Sequence, residues 1–97
     1  MKKADKALYK KAIGQWGGKA QMQMCIEECS ELIKALCKLD RAKNDKERIA
    51  AYESILEETV DVQIMTEQIV TLFGGNGLAI KNYRAAKLNR LKKLLTK

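Results

Sequence analysis

Histidine and proline are both absent from the chain, and there are only three cysteines. A structural zinc site takes four Cys or His ligands. With no histidine and no fourth thiol beside Cys25, Cys29 and Cys37, the sequence does not point to such a site. The three thiols share an apolar helical stripe with Ile26, Leu32, Ile33 and Leu36, so they read as reduced cysteines packed as small hydrophobes. No apolar run approaches the roughly 18 residues of a membrane-spanning helix. The leading MKKADKALYKK is charged and lacks the apolar stretch of a secretory signal, so a cytoplasmic location is expected. Without proline, and with few β-branched runs, only glycine is left to interrupt a helix. It does so at Gly14, Gly17, Gly18, Gly74, Gly75 and Gly77.

Leu, Ala, Lys, Glu, Met and Gln, all good helix formers, fill the rest of the chain. The 97 residues suit one domain, residues 1–97, and a hydrophobic content of 46% is too high for a disordered chain. The glycine breaks predict helices over about 4–13, 19–43, 45–73 and 78–95. Asn44 followed three residues on by Glu47 has the form of a capping box and starts the third helix. The short AKND link makes the second and third helices antiparallel neighbours. The expected fold is all-α, an antiparallel bundle of about four helices that assembles through helix packing.

The net charge of +7 conceals a segregation. Residues 1–20 carry six Lys/Arg and one acid, residues 21–70 six Lys/Arg and eleven acids, and residues 71–97 seven Lys/Arg and no acid. An acidic centre lies between two basic ends. A simple nucleic-acid binder needs only the basic part. A site that grips metal ions together with a polyanion uses both.

At about 100° per residue, Met22, Cys25, Cys29, Leu32, Ile33 and Leu36 form one apolar face of the second helix, with Glu28 at its edge and Glu31 further round the same flank. On this wheel Lys34 and Lys38 fall on the far side. The third helix carries two apolar stripes, Ile49, Leu56, Val60 and Ile64 on one side and Ile55, Val62, Met65, Ile69 and Leu72 almost opposite. A helix apolar on two faces is expected to be buried on both, which suggests burial beyond one small subunit. Glu58 projects within the second stripe, with Asp61 beside it, and no Lys or Arg occurs between Arg48 and Lys81. Burying a carboxylate is costly unless a partner compensates. Two partners suit these acids: lysines from other helices, or a divalent cation. Glu28 and Glu31 are spaced i, i+3, as are Glu58 and Asp61. On antiparallel neighbours the two pairs can face each other and offer oxygen ligands of the kind Mg²⁺ prefers.

EECSE, with Glu27, Glu28 and Glu31, fits an E-E-x-x-E motif, and EETVD supplies E-x-x-D at Glu58 and Asp61 on the next long helix. With the lead-in WGGKAQMQMCIEECSELIKAL and the closing KLNRL, the stretch from about Trp16 to Leu91 resembles the MazG-like, all-α nucleoside triphosphate pyrophosphohydrolases. The resemblance implies a domain that works as a homodimer or homotetramer. It implies that Glu28, Glu31, Glu58 and Asp61 hold Mg²⁺, with Mn²⁺ as a substitute, and that Glu27 takes an outer metal or orients the attacking water. Attack at the α-phosphorus of a (d)NTP would give the (d)NMP and pyrophosphate, and a metal-activated water needs no histidine base. Lys87 and Arg90 are the candidates for phosphate contacts.

Two other readings compete. Phosphoribosyl-ATP pyrophosphohydrolase shares the fold and a similar acid pattern. A basic helical nucleic-acid-binding or regulatory module would use the tail from Lys81 onward, but it leaves the acids of the third helix unexplained. Leu88, Leu91, Leu94 and Leu95 are expected to form the core-facing side of that tail, not a membrane contact. Trp16 is expected to pack in the core or at an interface.

Overall fold

The computed structural model describes residues 1–96. It consists of four α-helices, α1 (Lys3–Trp16), α2 (Gly18–Asp40), α3 (Asp45–Phe73) and α4 (Leu78–Leu95), with no strand among the described residues. The all-α class is as expected, and α3 and α4 begin and end where the sequence placed them. The first helix runs past Gly14, which a helix interior tolerates at a cost of about 1 kcal/mol. It breaks instead at Gly17, whose φ of 87° suits only glycine. The second helix ends before Lys43: the Arg41 and Ala42 N–H groups still bond back to Cys37 and Leu39, tightening the last turn, and 41–44 are left as the link. Asn44 accepts the Glu47 N–H at 2.9 Å, one half of the predicted capping box. Gly77, with a φ of 84°, turns the chain into α4, while Asn76 Oδ1 accepts the Leu78 N–H at 3.0 Å.

The α2–α3 hairpin is the body of the molecule, and its register is antiparallel. At one end a Cβ on Gly18 would lie 3.2 Å from the Leu72 side chain. In the middle Glu28 faces Glu58 and Asp61. Towards the turn Lys38 shares a cleft with Ala51 and Ser54. Ala35 and Ala51 are buried at the seam, together with Met65 and the two glutamines Gln21 and Gln68. The helix α1 packs against both long helices and is held through buried Tyr9. Burial and the neighbouring Glu67 and Asp5 carboxylates push the Tyr9 hydroxyl above its ordinary pKa of 10.0. That hydroxyl is therefore neutral where it meets α3.

Three expectations about burial are corrected. The seam of α2 is centred on Gln21, Glu28, Ala35 and Leu32, roughly 80° from the centre of the apolar arc. Cys25, Cys29 and Leu32 are half-buried, but Met22, Ile26, Ile33, Leu36 and Cys37 stay exposed. Of the two stripes on α3, the one with Met65, Ile55 and Val62 faces α2, while Ile49, Leu56, Val60 and Ile64 face outward, Leu56 at 70% exposure. Finally, α4 has at most a marginal contact with the other helices and every one of its residues is exposed, Leu88, Leu91, Leu94 and Leu95 included. The outward stripe of α3 and the exposure of α4 share one cause. A hydrophobic arc records how much apolar surface a helix must cover, not which chain covers it.

The single chain is open as a result. It exposes 7987 Å², against roughly 5,600 Å² for a closely packed chain of its mass. Its radius of gyration is 16.6 Å, against roughly 12.5 Å for a closely packed domain of this length. No helix among the described residues is long and apolar enough to cross a membrane.

Candidate metal centre

The i, i+3 spacing of Glu58 and Asp61 sets their carboxylates one turn apart on the seam side of α3. Glu28 enters from α2 at the same level. One oxygen from each of the three carboxylates lies within 4.8 Å of the others. Glu58 Oε2 is buried and has no hydrogen-bond partner. Burial pushes the Glu28 carboxyl above its ordinary 4.5, and the charges of Asp61, Glu58 and Glu31, with a side-chain hydrogen bond that a protonated Glu28 makes to Glu58, push it the same way. Removing charged oxygens from water and crowding them together both disfavour ionisation.

Pairing with lysines from other helices does not provide the compensation. The one ion pair among the described residues is Arg48 with Asp45, 2.6 Å apart and exposed at the start of α3. It touches none of the four acids. Such a pair contributes at most about 1 kcal/mol.

The other expected site residues divide into two groups. Glu31 is exposed and lines a cleft together with Glu58, directly beside the three-carboxylate cluster. Glu27 is exposed on the outer flank of α2 and is not a member of the cluster. Lys87 and Arg90 are exposed on α4, and within one chain they are not brought to the acids. Trp16 is 61% exposed at the end of α1 and covers no core of its own chain.

Two features escaped the sequence reading. Lys34 and Lys38, expected on the far side of α2, line the same cleft as Glu31 and Glu58. Their signal was present: Lys34 follows Glu31 by three residues and Lys38 by seven, both same-face spacings. The second feature is the buried pair Gln21 and Gln68, near the α1 end of the seam. Gln68 Nε2 lies 3.7 Å from the Met65 sulfur, and Gln68 Oε1 is buried without a partner.

No protein-family model matches the chain, and no curated protein and no solved structure matches it either. The residues themselves fit a hard divalent cation. The donors are all carboxylate oxygens, they converge from two helices, and one of them is buried with its hydrogen-bonding capacity unused. An octahedral Mg²⁺ with oxygens at about 2.1 Å is about 4.2 Å wide. All three oxygens lie within 4.8 Å of one another, which a side-chain adjustment brings to that size.

Proposed function

We propose that the chain is a Mg²⁺-dependent nucleoside triphosphate pyrophosphohydrolase of the MazG-like kind, with Glu28, Glu58 and Asp61 as the core of its cation site and Glu31 completing it. The observation that carries this reading is the convergence of three carboxylates, one with a buried and unpartnered oxygen, at a place where no basic side chain pairs with them. Structural acids would have drawn a lysine or remained in water. When bound, the divalent ion supplies charge neutralisation to the triphosphate and lowers the pKa of water.

The residues of the chain then have separate tasks. Glu28, Glu58 and Asp61 fix the ion at the seam, and the two packed helices hold them there before substrate arrives. Glu31, lining the cleft beside them, would add a fourth carboxylate to the ion's site on the side open to substrate. Glu27, one residue before Glu28 but on the outer flank of α2, would orient the attacking water or take an outer metal only from outside the cluster. The oxygen of water bonds to the α-phosphorus. The bond from that phosphorus to the bridging oxygen of the β-phosphate breaks, and pyrophosphate leaves with the electron pair.

The working form is a homo-oligomer. The chain leaves roughly 2,400 Å² more surface exposed than a closely packed monomer of its mass. Obligate subunit interfaces are of that size. The outward stripe of α3 (Ile49, Leu56, Val60) and the whole of α4 are the surfaces a second copy would cover. The acid-free α4, with six Lys/Arg, also complements α3, which has no basic residue after Arg48.

The test is release of pyrophosphate from a panel of ribo- and deoxynucleoside triphosphates and phosphoribosyl-ATP, with Mg²⁺ and with EDTA. Metal-dependent release from triphosphates that Glu58→Gln abolishes is the expected result. Release from phosphoribosyl-ATP alone would transfer the chain to the second activity. Release from none, by folded protein with Mg²⁺ present, rejects both.

A further inference from the structure

Beyond the acids, the cleft continues along the seam towards the α2–α3 turn. Its first part, about 90 Å³, lies between Glu31, Lys34, Lys38, Ser54 and Glu58. Sharing Lys38 and Ser54 with it, a wider space of about 410 Å³ lies beside Arg41, Glu47, Ala50 and Ala51. Lys34, Lys38 and Arg41 are spaced i, i+4, i+7, which sets three cations in a row on the cleft side of α2. None of the three forms an ion pair with an acid. Three cations in a row, leading away from the carboxylate cluster and outnumbering the one acid of the wider part, Glu47, form a track for a chain of anionic groups. The small side chains at Ala35, Ala50 and Ala51 leave the space above the seam open.

The geometry points to Lys34, Lys38 and Arg41, with the Ser54 hydroxyl, as the subsite for the terminal two phosphates of the substrate, and hence for the pyrophosphate product. This inference rests on the triphosphate reading and gives it a direction. The α-phosphate lies at Glu28, Glu58 and Asp61, the β- and γ-phosphates run towards the α2–α3 turn, and the nucleoside lies on the α1 side. The assignment places the phosphate contacts in the same chain as the carboxylates and not on Lys87 and Arg90.

Inorganic pyrophosphate is the probe, titrated calorimetrically into the folded, full-length protein in EDTA and again with Mg²⁺. Binding is expected in both, tighter with the ion. Charge-assisted hydrogen bonds of this kind are each worth about tenfold in affinity. The double variant Lys34→Ala/Lys38→Ala is therefore expected to weaken pyrophosphate binding by about a hundredfold, and Lys87→Ala/Arg90→Ala to leave it unchanged. All four side chains are exposed, so the variants keep the helical circular dichroism of the parent. Failure of the parent to bind pyrophosphate, or equal affinity in the Lys34/Lys38 variant, overturns the assignment. The two proposals fail separately. Pyrophosphate bound through Lys34 and Lys38 without hydrolysis of any triphosphate keeps the subsite and rejects the enzyme. Hydrolysis with unchanged KM and pyrophosphate affinity in the Lys34/Lys38 variant keeps the enzyme and rejects the subsite.

Discussion

Neutralising Glu58 while keeping its shape, by Glu58→Gln, separates the cost of the carboxylate cluster from its use. In the metal-free protein Glu58 faces Glu28 and Asp61, with oxygens of all three within 4.8 Å. Two unit charges at the outer limit of that distance repel by about 3.5 kcal/mol at an effective dielectric constant near 20, and by about 0.9 kcal/mol in water. The cluster is half-buried, so the value lies between these limits. A gain near the lower limit, about 1–2 kcal/mol, is expected for the variant in EDTA at about pH 8. For a domain of this size each 1 kcal/mol moves Tm by about 4–8 °C. Thermal unfolding followed by circular dichroism, at one fixed protein concentration because oligomerisation shifts Tm, should show the variant melting above the parent in EDTA. Millimolar Mg²⁺ should then raise the parent and leave the variant almost unmoved. A variant that melts lower than the parent in EDTA, or that gains as much from Mg²⁺, would refute the reasoning. Glu58 would then be a satisfied structural acid.

Three more outcomes follow from the same structure. The folded pKa of Glu28 is raised above its unfolded value near 4.5, so the folded state binds more protons between the two, and metal-free stability falls as pH rises through the raised value. Melting in EDTA should therefore be higher at about pH 5.5 than at about pH 8. Because the ion competes with the proton, Mg²⁺ should stabilise more at the higher pH, and a stabilisation independent of pH would contradict the assignment. Removing the α3 cap by Asn44→Ala should cost about 1 kcal/mol in urea unfolding, and no loss would mean the bond at 2.9 Å to the Glu47 N–H is idle. Sedimentation should give a mass of at least two chains of 11.0 kDa, with Leu56→Asp on the outward face of α3 shifting it towards one; a monomeric parent would reject the oligomer.

Much of this architecture was legible because short-range chemistry fixes it. Asn44 and the GGNG stretch mark helix ends by capping and by positive φ, which are local effects, and α3 and α4 lie where those residues put them. The approach of Glu28 to Glu58 and Asp61 was legible as well, since a four-residue link forces antiparallel pairing and the i, i+3 spacings do the rest. The rotation of α2 was not. Its apolar arc points at Leu36, Cys29 and Met22, but the seam takes Gln21, Glu28 and Ala35. Small and polar residues let two helices approach and leave room between them, and a hydrophobic pattern carries no trace of that choice. The same error sent Lys34 and Lys38 to the wrong side. The place of α4 was illegible for a different reason: nothing in Ile80, Tyr83, Leu88 or Leu91 says whether the surface that covers them belongs to the same chain.

The most direct measurement of the central claim is hydrolysis of a nucleoside triphosphate in ¹⁸O-enriched water, with the products separated by mass. Attack at the α-phosphorus beside Glu28, Glu58 and Asp61 predicts one ¹⁸O in the nucleoside monophosphate and none in the pyrophosphate, only when Mg²⁺ is present. Label in inorganic phosphate or pyrophosphate, or no labelled product from the folded protein with Mg²⁺, would contradict it.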